Sequence, residues 1–311
     1  MKMKTRLTLL SLLAMGIAMT SCNSDNESSG ILKSKNITLA TRIGGLTRVT
    51  ADADGVETFD EGDQISVYAW TGDNTSAPSK SELVVDNAIN TLTNGKWVAN
   101  PQMLWKNNRD DHYFVAIYPH TAVDDLSNGE YFFDFTHQTN NDLLVARNFT
   151  GLSYNEDGGN DVPLNFTHVM AKVNVKLQFR NQWGGVPQVD SVVIGTVPTT
   201  AKINYITNGI ESLDVNGEYL NVPCVQPNVK FSSIVIPNTN ALPIANRIHV
   251  YIDGKQYSYF HDGKFEFESG KYTTINLIVG RDELKLGDIS ISNWEKGLDF
   301  DGEASDAIMP E

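Results

Sequence analysis

Cysteine and basic residues are scarce in this sequence of 311 residues. With only 2 cysteines, the chain can build neither a disulfide framework nor a thiolate metal cluster. Acidic residues outnumber basic ones by 38 to 24, which gives a formal net charge of -14. Such a chain repels a nucleic-acid backbone, so we expect no nucleic-acid partner.

Motifs for catalysis, metal binding and cofactor binding are also missing. The 6 histidines are scattered without ligand spacing, and the sequence has no phosphate loop, dinucleotide loop or nucleophile elbow. The acidic segments 52–55 and 155–161 do not follow the ligand order of an EF-hand. We therefore expect no enzyme activity, no metal and no cofactor.

The N-terminus has the pattern of a cleaved leader. Lys2, Lys4 and Arg6 precede an apolar run at 7–19, which at about 13 residues is shorter than the roughly 20 that span a bilayer. Residues 1–21 are thus predicted to be a signal peptide. Its end, Met-Thr-Ser followed by Cys22, resembles a bacterial lipobox, which implies lipidation of Cys22 and an anchor in the outer-membrane lipid. Ordinary secretion with an incidental cysteine is the alternative.

The next segment, 22–32, is polar and is predicted to be a flexible tether. Its serine-rich and acidic character resembles the surface-export signals of Bacteroides-type lipoproteins.

Beyond the tether, short stretches with a period of two alternate with turns rich in Gly, Asn and Asp, and no stretch has a helical period. This pattern predicts an all-β fold with two tandem antiparallel β-sandwich domains of Greek-key, transthyretin-like type, at 33–163 and 164–311. The main predicted strands are 37–43, 64–70, 83–85, 96–98, 112–118, 131–135, 142–146, 164–179, 188–197, 202–206, 218–222, 231–236, 247–252, 257–260, 272–279 and 286–292.

The stretch 164–179 is the longest alternating segment. Its odd positions from Val169 to Phe179 are apolar, whereas Leu164 and Phe166 are apolar at even positions. The parity therefore slips near His168, as a β-bulge or a strand crossing between sheets would cause. We interpret the stretch as the first strand of the second domain and His168 as a hydrogen-bonded structural residue.

Several motifs together resemble the fimbrillin family, pilin-like surface lipoproteins of Bacteroides-type bacteria. In order, they are FDEGDQISVY, Trp97 with Pro101 and Trp105, YFVAIYP, DLLVA, LNFTHVMAKVNV and the closing ISISNWEKG. The resemblance covers almost the whole mature chain. It implies a structural or adhesive subunit of cell-surface fimbriae, held at the outer membrane by lipid and assembled with other fimbrial subunits.

In the resembling family, a protease removes the N-terminal strand after an arginine, and a strand from the next subunit replaces it. The matching segment is 36–48, with Arg48 the better candidate for the cleaved residue and Arg42 the second. Solvated loop charges are the alternative for both arginines. The C-terminal residues 297–311 alternate poorly, so the donor strand could be 288–294, or the chain could be a tip, anchor or accessory subunit.

The other function kept open is that of a monomeric surface lipoprotein binding host or bacterial glycans, or proteins, through aromatic side chains. Its candidates are Trp70, Trp97, Trp105, Trp183 and Trp294, although most tryptophans in a sandwich pack in the core. Cys224 is expected to be a small, partly buried apolar residue.

Overall fold

The computed structural model describes residues 35–44, 58–136, 141–154, 161–213, 217–238 and 246–293. The first strands are β1 (Thr38–Ile43), β2 (Gln64–Thr71), β3 (Leu83–Thr93), β4 (Lys96–Asn100), β5 (His112–Tyr118), β6 (Gly129–Phe132), β7 (Leu144–Leu152) and β8 (Asp161–His168). They are followed by β9 (Ala171–Phe179), β10 (Val189–Val197), β11 (Thr200–Asn204), β12 (Gly209–Ser212), β13 (Glu218–Val222) and β14 (Cys224–Gln226). The last are β15 (Lys230–Val235), β16 (Arg247–Ile252), β17 (Lys255–Phe260), β18 (Lys271–Val279) and β19 (Leu284–Asn293).

The all-β prediction is confirmed. Within the described ranges the helical residues belong to short 3-10 turns, at Lys80–Glu82, at Asn181–Trp183 and at Asn141. No helix there is long and apolar enough to span a membrane.

The described part of the first half of the chain forms a seven-stranded sheet in the order β1-β8-β7-β5-β2-β3-β4. Its neighbouring strands are antiparallel except for β1 and β8, which are parallel. A parallel pair needs a long connection, and here the whole of β2 to β7 lies between its two members.

The second half contributes three further sheets. A five-stranded sheet has the order β14-β15-β9-β18-β19, and a four-stranded sheet has the order β13-β10-β16-β17. The three-stranded sheet β12-β11-β6 takes β6 from the first half of the chain. The division into domains at 163 and 164 stays a prediction, and these two residues lie within β8.

The predicted strand 164–179 is two strands that belong to different sheets. β8 lies in the seven-stranded sheet, and β9 is the central strand of the five-stranded sheet. Between them Val169 and Met170 are both buried, which explains the slip in parity. The crossing between sheets is therefore confirmed, whereas the single continuous strand is wrong because the chain changes sheets after His168.

Both faces of the seven-stranded sheet are buried. Ile65 and Val67 of β2 belong to one hydrophobic cluster, together with Phe114, Leu164 and Phe166; we call it the inner cluster. The alternate residues of β2 contribute to a second cluster, which we call the shared cluster because its members come from both halves of the chain. Representative members are Tyr68, Trp70, Val115, Val173, Ile194 and Ile248. The alternation of side chains along one strand thus supplies two cores.

Candidate functional site

β1 is an edge strand in the part of the chain that the structure describes. Its register places Leu39 beside Val162, Thr41 beside Leu164 and Ile43 beside Phe166. At its end, the backbone N–H of Gly44 donates to the carbonyl oxygen of Phe166 at 2.9 Å. The strand is thus attached to β8 through its backbone. Backbone groups at a sheet edge can pair with another extended segment in the same way.

One face of β1 is apolar and covers the core. Leu39 and Ile43 are half-buried and pack against the inner cluster, next to three β8 side chains that are fully buried, Val162, Leu164 and Phe166. This face protects from water a row of apolar groups whose exposure would cost about 25 cal/mol per Å².

The opposite face of β1 is polar and exposed. Thr38 donates a hydrogen bond to the carboxylate of Asp161, and the guanidinium of Arg42 donates to the side-chain oxygen of Asn165. Hydrogen bonds at exposed sites contribute little to stability, so the apolar face supplies most of the attachment.

The segment before β1 is fastened to a different part of the chain. Ile37 is only 2% exposed and belongs to the inner cluster. Its backbone N–H donates to the carbonyl oxygen of Met103 at 3.0 Å, and the N–H of Trp105 donates to the carbonyl oxygen of Lys35 at 3.0 Å. The attached unit therefore begins at residue 35, before the strand itself.

The seven-stranded sheet is curled so that its outermost strands meet. The indole Nε1–H of Trp97 in β4 donates to Oγ1 of Thr41 in β1 at 2.8 Å. The Phe59 ring packs beside this contact. Its centroid lies 5.1 Å from that of Trp97 and 5.1 Å from that of Phe166. β1 thus occupies a groove between β8 and β4, with an aromatic group at one end.

The acidic, glycine-bearing motif at residues 60–63 forms a turn in which carboxylates accept hydrogen bonds from backbone N–H groups. The carboxylate of Asp63 accepts the N–H of Asp60 at 2.7 Å. Glu61 accepts the N–H groups of Asn94 and Gly95 at 2.8 and 2.7 Å. These bonds tie the turn to the β3–β4 hairpin, and they hold Phe59 at the groove.

The predicted processing and lipidation sites fall in different places. Arg42 lies inside β1, with its side chain exposed. Cys22 and Arg48 lie outside the described residues, as do Trp294 and the C-terminal residues 297–311. The structure therefore bears on the predicted arginines through Arg42 alone.

The predicted donor segment overlaps β19. This strand pairs with β18 along its whole length, from Leu284 opposite Val279 to Asn293 opposite Lys271. Leu286 and Ile289 are half-buried against the shared cluster, whereas Ile291 is 38% exposed. In the described part of the chain β19 is an edge strand of the five-stranded sheet, with light side-chain burial toward its C-terminal end.

His168 has a structural role, as predicted. Its Nδ1 lies 2.8 Å from Oδ1 of Asp142, and both side chains are largely buried. The pair joins the end of β8 to the residues before β7. Among the described residues, no group of His, Cys, Asp and Glu side chains could hold a metal ion.

The described tryptophans do not form an exposed platform. Trp70 and Trp105 are buried, and Trp97 and Trp183 are half-buried. The burial of these tryptophans therefore gives no support to the glycan-binding alternative. Cys224 is exposed in β14, so its expected partial burial is wrong; the strand holds no buried residue.

Sequence reasoning missed two attachments of β1, namely the pairing of residue 37 with residue 103 and the bond from Trp97 to Thr41. Each joins residues more than 50 positions apart, for which a single sequence has no local signal. The alternation of apolar residues from Ile37 to Ile43 was the one available indication that this segment covers a core.

Solved structures of three Bacteroides proteins have a similar fold. A candidate cell adhesion protein from Bacteroides uniformis has a TM-score of 0.61 and 16% identity, over 84% of this chain and 100% of that chain. A similar protein from Bacteroides ovatus has a TM-score of 0.63 and 16% identity, over 85% and 99%. A fimbrial protein from Bacteroides vulgatus has a TM-score of 0.58 and 13% identity, over 83% and 100%. At these low sequence identities, the similarity shows a shared fold and nothing more.

The sequence itself identifies the family. The profile of the fimbrillin-like family matches residues 47–294, and the chain belongs to that family. No curated protein sequence matches the chain significantly.

Proposed function

We propose that the chain is a structural or adhesive subunit of cell-surface fimbriae, made as a lipid-anchored precursor, in which proteolytic removal of β1 opens a groove for a strand of another subunit. Membership of the fimbrillin-like family supports a fimbrial or adhesive role. The observation that carries the strand exchange is the position of β1, an edge strand whose apolar face covers the inner cluster.

Loss of β1 would leave two unsatisfied surfaces. Val162, Leu164 and Phe166 would become exposed on one side of β8, and the backbone groups of β8 now paired with β1 would lose their partners. Both are costly in water, and a strand with apolar residues at alternate positions would restore both. The groove therefore selects an incoming strand by the pattern that β1 itself has.

The contacts of Arg42 make it the poorer cleavage site, and this favours Arg48. A protease binds its substrate as an extended segment with free backbone groups, whereas the backbone at Arg42 is engaged with β8 and its side chain with Asn165. Cleavage after Arg48 would also detach the whole of β1, including Ile43 and its contact with the inner cluster.

The position of β19 supports an accepting role for this subunit. Donation of 288–294 would require separation of these residues from β18, with loss of ladder hydrogen bonds and of the Ile289 contact. β1 is likewise an edge strand with ladder hydrogen bonds and apolar contacts to lose, but cleavage after Arg48 would sever it from the rest of the chain, whereas β19 would stay joined to β18. A tip, anchor or accessory position in the fimbria fits a subunit that accepts a strand.

The anchor would be the lipidated Cys22, followed by the tether 22–32, with the folded part at the cell surface. Metabolic labelling with palmitate tests this part of the proposal. The label should enter the parent chain and be absent from the Cys22→Ser variant; equal labelling of both would contradict the anchor.

Strand exchange is tested by limited trypsin digestion of the Cys22→Ser chain, followed by incubation with a fluorescent peptide of residues 35–48. We expect cleavage after Arg48, replacement of the cleaved strand and stable binding of the peptide. The matched control peptide has serine in place of Ile37, Leu39 and Ile43, and it should not bind.

Two variants assign the cleavage site. Arg48→Gln should block processing and peptide binding, whereas Arg42→Gln should leave both unchanged. The proposal is overturned if the segment resists trypsin, or if the cleaved protein binds the two peptides equally. Native size analysis of the same digest tests whether the chain also donates a strand. A ladder of oligomers would show that it does.

A further inference from the structure

The outer face of the four-stranded sheet β13-β10-β16-β17 carries an arrangement that the proposed strand exchange does not use. The opposite face belongs to the shared cluster through residues such as Leu220, Ile194 and Val250. On the outer face, Tyr219 is 51% exposed and Phe260 is 61% exposed. Two large exposed aromatic side chains on one sheet face require an explanation, since solvent-facing strand positions are ordinarily polar.

These two rings lie in one row across the sheet. Gly195 of β10 is the register partner of Arg247 of β16, and Arg247 is the partner of Phe260 of β17. The Tyr219 ring of β13 lies over Gly195, because a Cβ on that glycine would be 2.8 Å from Cε1 of Tyr219. The glycine therefore lets the tyrosine ring lie close to the strand, and half of the tyrosine side chain stays exposed.

Arg247 is fixed between the two aromatic side chains. Its Nη1 donates to the hydroxyl of Tyr219 at 3.2 Å, and its guanidinium carbon lies 5.9 Å from the centroid of the Phe260 ring. Among the described residues no carboxylate forms an ion pair with Arg247, and its buried Nε has no hydrogen-bond partner there. In a chain with a net charge of -14, this cation lies between aromatic groups, and no charged side chain of the described residues pairs with it.

The neighbouring row adds polar groups. Nδ1 of His249 accepts from Nε2 of Gln256 at 3.0 Å and contacts Oγ of Ser258 at 2.8 Å, which puts the imidazole proton on Nε2. Burial, and then the charge of Arg247, lower the pKa of His249, so the ring is neutral at pH 7. The His249 ring stacks on Tyr219, with centroids 6.1 Å apart and an interplanar angle of 28°.

The chemistry of this face defines its ligand. The backbone groups of a sheet face are already used in the ladder, so a ligand must be recognised by side chains. Aromatic faces beside hydroxyl, amide and imidazole groups suit a sugar ring, which has apolar C–H faces and many hydroxyls. A guanidinium without an ion-pair partner among the described residues suits a carboxylate.

We propose that the outer face of the sheet β13-β10-β16-β17 binds a carbohydrate that carries a carboxylate, with its sugar rings on Tyr219 and Phe260 and its acid group on Arg247. This site is on a different sheet from β1, so the inference does not rest on the proposed strand exchange.

Titration calorimetry of the full-length protein in detergent tests the site with two matched pairs of probes. The pairs are tetragalacturonate with its methyl ester, and sialyllactose with lactose. At least one acidic sugar should bind, and its neutral counterpart should bind about tenfold more weakly or not at all. Binding of neither acidic sugar, or equal binding of the acidic and neutral members, would overturn the proposal.

Variants assign the binding to this face. Tyr219→Ala and Phe260→Ala should each weaken binding about tenfold or more, as truncation of central aromatic contacts does. Arg247→Gln should remove the preference for the acidic member of the pair. Phe132→Ala removes an exposed phenylalanine from another sheet, 68% exposed, and should have no effect. Unchanged binding in both aromatic variants would overturn the assignment.

Gly195→Ala tests the positioning of the ring without removal of any group that touches the ligand. The added Cβ must displace the Tyr219 ring, so binding should weaken while the melting temperature changes little. Hexaglutamate is the peptide control, and binding of it as tight as that of the acidic sugars would show that charge alone is recognised and would overturn the proposal.

Discussion

The indole Nε1–H of Trp97 donates a hydrogen bond of 2.8 Å to Oγ1 of Thr41, and this bond joins the outermost strands of the curled seven-stranded sheet. Thr41 belongs to the strand whose removal is proposed, and Trp97 belongs to the part that stays. In the proposed strand exchange, the bond would contribute to the barrier that the cleaved strand crosses before another strand enters.

Trp97→Phe should accelerate the release of β1 after cleavage. The variant loses the hydrogen bond, worth about 0.5–1.5 kcal/mol, but keeps an aromatic ring beside Phe59. Release of a labelled β1 peptide from the cleaved protein should become about two- to tenfold faster.

Trp183→Phe is the matched control for this change. Its Nε1–H donates to the carbonyl oxygen of Val279 at 3.0 Å, far along the chain from β1. The release rate should be unchanged in this variant. Equal acceleration in both variants would show that the effect is a general loss of stability.

Ile37→Ala should destabilise the intact chain strongly. Ile37 is 2% exposed within the inner cluster, and such truncations cost about 2–5 kcal/mol. Urea unfolding measures the loss. Ala40→Ser, on the exposed face of β1, should change the free energy of unfolding by less than about 0.5 kcal/mol. Similar losses in both variants would contradict the assignment of the buried face.

Stability should fall as the pH decreases below 6.5, in part because of His112. This side chain is fully buried; its Nε2 accepts the N–H of Lys106 at 3.1 Å, and Nδ1–H donates to the carbonyl oxygen of Asp110 at 2.9 Å. Burial lowers the pKa of His112 below its ordinary 6.5, so the unfolded chain binds a proton before the folded chain does.

The corresponding measurement is urea unfolding between pH 7.5 and 5. The His112→Gln variant should be less stable than the parent at pH 7.5 but should lose less stability as the pH decreases. The slope should diminish without vanishing, because the pKa of His249 is lowered too. Parallel curves for parent and variant would contradict the role of His112.

Strands with clean alternation could be predicted from the sequence. The predicted 64–70, 112–118 and 247–252 agree with β2, β5 and β16 to within one residue. β16 has one face in a core, so burial imposes a period of two on its side chains, whereas β2 and β5 are buried on both faces. The Asp253–Gly254 turn between β16 and β17 was also readable, since both residues have positive φ, 50° and 73°.

β3 could not be predicted at its full length. Only 83–85 was expected, whereas the strand spans Leu83–Thr93. Asn87 has a φ of 49°, and the register with β2 shifts between Val67 and Ala69, so the alternation is interrupted. Asn90 is also fully buried, which places a polar residue where the pattern calls for an apolar one.

The candidate site was predictable in part. The alternating segment 37–43 was expected as a strand, and the resemblance to fimbrillins supplied its proposed removal. The parallel pairing with β8 could not be foreseen, because it joins Thr38 to Asp161 across most of the first half of the chain. Long-range pairing depends on the whole sheet, and no local pattern reports it.

A reversible lock on β1 tests the central claim most directly. Arg42 and Asn165 are register partners on the exposed face. Adjacent strands are about 4.8 Å apart, within the range of about 4.4–6.8 Å that a disulfide spans. The variant combines Arg42→Cys and Asn165→Cys with Cys22→Ser and Cys224→Ser, and it is cleaved after Arg48. When oxidised, it should not bind the 35–48 peptide; when reduced, it should bind it as the cleaved parent does. Equal binding in the two redox states would contradict the claim that β1 must leave before another strand enters.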